Sequence, residues 1–203
     1  MHIPSRLAAC FLLCCAAAAA PSFALAQESA APAKPAVGTP QAPSLIYGKL
    51  LGLMEKEFVS AAEAMPDDKF NFAPTQGDFK GVRTFAQQIK HVSAVNYMFA
   101  AAILSEKPPV ELGSENGPDN ITSKADVVKF LKDSFAYLHK ALNTIDESNV
   151  LGQVPSPFGT NKISRLGLAT IAISHPLDHY GQMVEYLRMN SIIPPASRKS
   201  GSM

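Results

Sequence analysis

Apolar residues return every three or four positions in four stretches of this chain, the spacing of a helix face rather than a strand. The first stretch runs from Ser44 to Met65, with Ile46, Leu50, Met54, Phe58 and Ala61 as its apolar face, and Pro66 stops it. The second runs from about Val82 to Leu104 and ends before Pro108-Pro109. The third follows Thr122, where Ser123 and Asp126 form a helix-starting box. It reaches about Ile145 and carries the stripe Val128, Leu131, Phe135, Leu138, Leu142. The fourth runs from Ser164 to Asn190 and ends before Pro194-Pro195. Each is near twenty residues long, as bundle helices are. The joins at 66–81, 106–122 and 147–163 are rich in Pro, Gly and Asn, and no run alternates clearly enough to predict a strand. The pattern predicts an all-α protein, a four-helix bundle with some long connections, over residues 44–197.

The N-terminal stretch breaks this pattern. Arg6 precedes an apolar run from Leu7 to Ala20, and Ala24-Leu25-Ala26 reads as a small-x-small cleavage site. Residues 1–26 are therefore expected to be a signal peptide, too short in its apolar run for a membrane anchor, and the mature chain to begin at Gln27. Leu7-Ala8-Ala9-Cys10 looks like a lipobox but comes before any full hydrophobic region. The expected destination is the periplasm. Residues 27–43, rich in Ala and Pro, read as a tether, and residues 198–203 as a disordered tail.

Export changes the chemistry available. All three cysteines, Cys10, Cys14 and Cys15, fall inside the signal, so the mature protein offers no disulfide and no thiolate. The whole chain has 18 Lys and Arg against 17 Asp and Glu; the signal takes away Arg6 and no acid, leaving 17 against 17. A neutral balance argues against nucleic acid as partner, since phosphate contact needs a basic surface. No later stretch is long and apolar enough to span a bilayer.

Histidine is the residue type that points to chemistry. His175 and His179 lie four apart in the fourth segment, so on a helix they project from one face within about 6 Å of each other. They share that face with Leu168, Ile171, Gln182 and Tyr186. His91 lies in the second segment on a face with Thr84, Gln88, Val95 and Met98. A buried imidazole needs partners for both nitrogens; a metal satisfies one and a neighbouring acceptor fixes the other. Three such ligands leave a coordination position open, the mark of a catalytic site. The competing reading is three core histidines bonded to backbone or glutamine. Pro176 follows His175, so the His-Glu-x-x-His pattern of zinc proteases is absent. Cys-x-x-Cys-His and paired Glu-x-x-His motifs are absent too, which excludes c-type haem and a ferritin-like di-iron site.

Other polar residues are weaker candidates. Pro176 within the fourth segment either kinks a helix or marks its restart. Glu57 falls on the apolar face of the first segment, where an unpaired carboxylate is costly; it is a candidate general base or ligand, or else sits at the stripe's edge. Gln182, one turn beyond His179, is a candidate substrate contact. Asp178 and His139 are expected at the surface, and Arg83 and Arg188 in ion pairs or at helix ends. Phe70 and Phe72 are expected to pack under a loop.

At these residues the chain resembles the DinB family. The landmarks are Ala64-Met65-Pro66 with Phe72-Ala73-Pro74, Val82-Arg83-Thr84-Phe85 leading to His91, and His175-x-x-x-His179-Tyr180-Gly181-Gln182. Tyr186-Leu187-Arg188 with Pro194-Pro195 closes the match, so the likeness covers residues 44–197. It implies an up-down-down-up bundle and a divalent metal on His91, His175 and His179. Some relatives use such a metal to bind and activate a low-molecular-weight thiol for transfer or isomerisation, and many are homodimers. Export removes this chain from the cytosolic thiol pool, and Pro176 is not part of the family pattern.

Two functions are therefore expected to compete. One is a metal-dependent enzyme, a thiol transferase-like protein or a hydrolase, acting on an unknown small molecule, with Gln182 or Glu57 orienting substrate or moving a proton. The other is a non-catalytic metal-binding or stress-related bundle. Imidazole ligands suit zinc, nickel, iron or copper, with manganese a further candidate, and spacing does not choose among them.

Overall fold

The computed structural model describes residues 36–199, so the expected signal peptide lies outside the described residues, as do parts of the tether and tail. The unit that begins at Pro40 carries the described helices. It contains α1 (Pro43–Ala64), α2 (Phe85–Leu104), α3 (Lys124–Leu142) and α4 (Arg165–Met189), with a small antiparallel pair, β1 (Gln153–Pro155) and β2 (Lys162–Ser164), before α4. No helix among the described residues is long and apolar enough to cross a membrane.

Local chemistry sets the helix ends. Pro43 opens α1, where its fixed φ suits a first helical residue. Thr84 starts α2 through a reciprocal box: its hydroxyl accepts from Gln87 N at 3.2 Å, and Gln87 Oε1 accepts from Thr84 N at 2.8 Å. Ser123 accepts from Asp126 N at 3.1 Å to start α3. Ser164 accepts from Gly167 N at 3.1 Å to start α4. The α4 helix continues through Pro176, which is buried within it, so the chain does not restart at His175.

Contacts between helices give their relative directions. Glu57 of α1 meets Tyr180 of α4, which sets these two side by side. Tyr97 of α2 meets Phe130 of α3, and Glu106, just past the end of α2, meets Lys140 of α3, so these two run in step. Gln88 meets Gln182 while Phe99 meets His175, so α2 and α4 run oppositely, and Glu55 with His139 and Glu63 with Lys132 show the same for α1 and α3.

The core lies between these four rods. Phe58, Phe85, Phe99, Phe135, Leu51, Leu131 and Leu138 are among its largest members, fully buried. On α3, Leu131, Phe135, Leu138 and Leu142 are inside as expected, and Val127 replaces Val128 as the buried valine. On α1 the expected face is partly wrong. Ile46 and Leu50 are each 43% exposed, while Tyr47 and Leu51 are buried. The reason is angular: each four-residue step overshoots a turn by about 40°, so the series 46, 50, 54, 58 walks around the helix. The series Tyr47, Leu51, Met54, Phe58, Ala61, Met65 alternates four and three and stays on one side, and all but the half-buried Met54 are buried.

The segment between α1 and α2 packs as expected. Phe70 meets Phe85 edge-on at 5.7 Å, and Phe72 meets Tyr186 at 5.7 Å. Their carbonyls accept from Ala86 N and Phe85 N, which fixes the start of α2 against α4. The β pair was not predicted. Its strands have three residues each and pair Val154 with Ile163, too short to show alternation.

Candidate metal centre

The opposed directions of α2 and α4 bring His91 level with His175 and His179. The ring centroids are 5.2 Å apart for His91 and His175, 4.8 Å for His91 and His179, and 4.7 Å for His175 and His179. One ring nitrogen from each lies within 4.8 Å of the others, a group that can hold a metal ion. Four-residue spacing on α4 supplies two of them, and the antiparallel neighbour supplies the third.

Hydrogen bonds decide which nitrogen each ring presents. His91 Nδ1 lies 2.6 Å from the Glu115 carbonyl oxygen. A carbonyl only accepts, so Nδ1 carries the proton and Nε2 keeps its lone pair. His179 Nδ1 lies 2.5 Å from Gln88 Oε1. Gln88 Nε2 donates to Gln182 Oε1 at 2.8 Å, and Gln182 Nε2 donates to Asp178 Oδ2 at 3.1 Å. A carboxylate cannot donate, so Asp178 sets the direction of this amide chain, and the chain in turn leaves His179 Nε2 free of hydrogen.

His175 Nε2 lies 3.3 Å from His91 Nε2. Two imidazoles held ~2.1 Å from one tetrahedral ion have nitrogens ~3.4 Å apart. The observed spacing fits two ligands on a shared ion. His175 Nδ1 is buried without a hydrogen-bond partner. With the His91 lone pair directed at His175 Nε2, a proton or a cation must lie between them, and the donor set fits a borderline divalent ion.

Electrostatics keep the rings neutral. Burial pushes His175 down to about 3, reinforced by His179, His91 and Arg83. Burial pushes His179 down to about 4, with His91 and Arg83 adding and Asp178 opposing. His91 is lowered as well, by burial first and then Arg83, against the Glu115 carbonyl and carboxylate. Neutral imidazole is the form that ligates a metal.

A cavity of about 240 Å³ opens beside the rings, lined by His91, His175, Val95, Met98, Leu112 and Phe158 among others. The loop that closes one side depends on two glycines. Gly113 (φ +70°) and Gly117 (φ +77°) are in the left-handed region. A Cβ on Gly117 would lie 2.6 Å from Lys90 Cβ, and one on Gly113 would lie 2.6 Å from the Gly117 carbonyl oxygen. Both allow the loop to press the Glu115 carbonyl onto His91.

The remaining candidates lie outside that cavity. Gln182 is a link of the amide chain behind His179. Glu57 accepts from the Tyr180 hydroxyl at 2.7 Å, and burial together with this carboxylate pushes Tyr180 up to about 12. Asp178 is exposed; His139 is half-buried and paired with Glu55 at 2.9 Å. Arg188 pairs with Glu185 at 2.7 Å. Arg83 pairs with Glu115 at 3.2 Å, which sets its positive charge near the three rings, a closer role than its sequence position suggests. Glu115 and Phe158 were not foreseen. The only trace of the first is the Gly-x-x-x-Gly frame around it, and the second belongs to the unpredicted hairpin.

Comparison with known proteins agrees with this architecture. A DinB-like protein of Bacillus subtilis superposes with a TM-score of 0.56 at 16% identity, covering 76% of this chain and 99% of that one. A DinB-like protein of Bacillus cereus superposes with a TM-score of 0.56 at 13% identity, covering 73% of this chain and 93% of that one. No curated protein matches the chain. The family model of the DinB superfamily matches residues 50–183, and the chain belongs to that superfamily.

Proposed function

We propose that this is an exported, periplasmic metalloenzyme that binds a divalent ion through His91, His175 and His179 and acts on a small molecule. The observation that supports it best is the pair of Nε2 atoms 3.3 Å apart on neutral rings. The adjoining cavity of about 240 Å³ favours an enzyme over a closed metal-storage site. A divalent ion held by three neutral imidazoles supplies Lewis acidity at its open position. The chain itself does the rest. Glu115 and Gln88 orient His91 and His179, Gln182 and Asp178 give the Gln88 amide its direction, and Arg83 favours a negatively charged ligand group nearby. Glu57 is held by Tyr180 and serves α1–α4 packing in this reading, with no part in proton transfer.

Elemental analysis of mature, untagged protein tests this. Wild type is expected to carry close to one divalent ion per chain, and the His91→Ala, His175→Ala double variant close to none. Equal metal in both would sink the proposal. Added zinc, nickel or manganese should raise the thermal midpoint of metal-free wild type and leave the double variant unmoved, since a ligand of the folded state alone stabilises it. Pairing into a homodimer would use the α1–α4 face, where Ile46, Leu50, Leu53 and Leu177 are exposed. Light scattering reads that mass, and cell fractionation reads export.

A further inference from the structure

The α2 stripe that carries His91 continues past the histidines. His91, Ala94, Met98 and Ala102 follow one another at three- and four-residue steps, so they lie along one side of the helix, and Ser105 caps its end. His91, Ala94 and Met98 line the cavity of about 240 Å³, whereas Met98, Ala102 and Ser105 line a second hollow of about 530 Å³. Met98 belongs to both. The hairpin forms a wall of each in turn, since Phe158 lines the first and Pro155, Ser156 and Pro157 line the second. At 1.5 Å per residue, His91 and Ala102 are ~16 Å apart along the helix axis.

The second hollow is mainly apolar. Its walls are Met98, the small Ala101 and Ala102, and Pro108, Pro155 and Pro157. Charge is confined to Glu106 and Lys107, and the Glu106 carboxylate is already engaged by the Tyr137 hydroxyl at 2.5 Å. A polar ligand gains little on such walls, whereas each methylene removed from water there is favourable.

We propose that the two hollows form one groove for a slender amphipathic small molecule. Its polar head meets the His91–His175 end, and its aliphatic or aromatic tail lies over Met98 and Ala102 against Pro157. The head rests on the metal reading above; the tail site rests on the walls of the second hollow. A long tail would thereby distinguish this protein's ligand from a compact polar thiol.

The test uses the full mature chain. Cobalt-loaded protein is titrated with acetohydroxamic, hexanohydroxamic and decanohydroxamic acids while the visible cobalt absorption is followed. Wild type should bind each longer acid more tightly, by about twofold to fourfold per buried methylene. Ala102→Trp, which fills the hollow, should bind all three as it binds the shortest, with the shortest unchanged. Pro157→Arg should do the same from the opposite wall, which covers the case in which the tryptophan variant does not fold. Equal affinity of wild type for short and long acids overturns the proposal, and so does a chain-length dependence that both variants retain. A second arm needs no metal. Nile red should fluoresce on metal-free wild type and be displaced by decanohydroxamic acid, and neither variant should bind it. Failure of wild type to bind Nile red removes the tail site whatever the metal result. Nile red binding without any cobalt binding removes the metal reading alone.

Discussion

Gln88 decides which nitrogen His179 turns toward its neighbours. The side chain is 2% exposed, and both its polar atoms are used, one on His179 and one on Gln182. Rotating the amide by half a turn would set N–H against N–H at one end and oxygen against oxygen at the other. The carboxylate of Asp178 at the far end of the chain forbids the reverse order. Partners of this kind typically contribute 10- to 100-fold to metal affinity. Gln88→Leu is therefore expected to weaken metal binding by about that factor, and Asp178→Asn and Gln88→Glu by less, because a carboxylate at position 88 still accepts from Nδ1 although it loses the donor to Gln182. Competition with a chromophoric chelator measures all three; equal affinities for Gln88→Leu and wild type would exclude the role.

At the scale of elements, the helices were legible because each carries its own periodicity and its own stop. The observed ends fall within three residues of the expected ones. Even the later start of α2 was written in the sequence, as Thr84 and Gln87 three apart. The His175, His179 pair was legible for the same reason, since helical spacing fixes which residues share a face, whereas bringing His91 to them took the packing of α2 against α4. What supports the three was not legible. The Glu115 carbonyl is a backbone group and leaves no signature in residue type, and the hairpin that brings Phe158 to the cavity has strands of only three residues. The loop over His91 offers a test of this hidden half. Gly117→Ala puts a Cβ 2.6 Å from Lys90 Cβ on a left-handed backbone, so the loop must leave α2. Urea unfolding should show a loss of about 1–3 kcal/mol, and metal affinity should fall with it. Glu115→Ala keeps the carbonyl and should retain most of the affinity, which separates the backbone's role from the side chain's.

For the molecule as a whole, the apolar interior that holds the bundle together also sets the charge of its site. Closing the rods around Phe58, Phe85, Phe99 and Phe135 dehydrates the space between α2 and α4, and an imidazolium there loses its water. In the folded, metal-free protein His175 takes up its proton only near about 3 and His179 near about 4. In the unfolded chain both do so near about 6.5. The folded values are depressed, so the unfolded chain binds more protons as acid is added and stability falls. The contribution is complete above about pH 6.5 and is lost as pH drops toward about 4 and then 3. Carboxylates begin to titrate below about pH 5, so the window from about 6.5 to 5 belongs to the histidines. Urea midpoints of metal-free wild type should decline across that window. His91 is depressed as well, by burial first, so a His91→Gln, His175→Gln, His179→Gln variant should hold a nearly level midpoint there and decline only with the carboxylates. A wild-type midpoint as level as the variant's would mean that the rings are solvated, and that the interior between α2 and α4 is wetter than this packing requires.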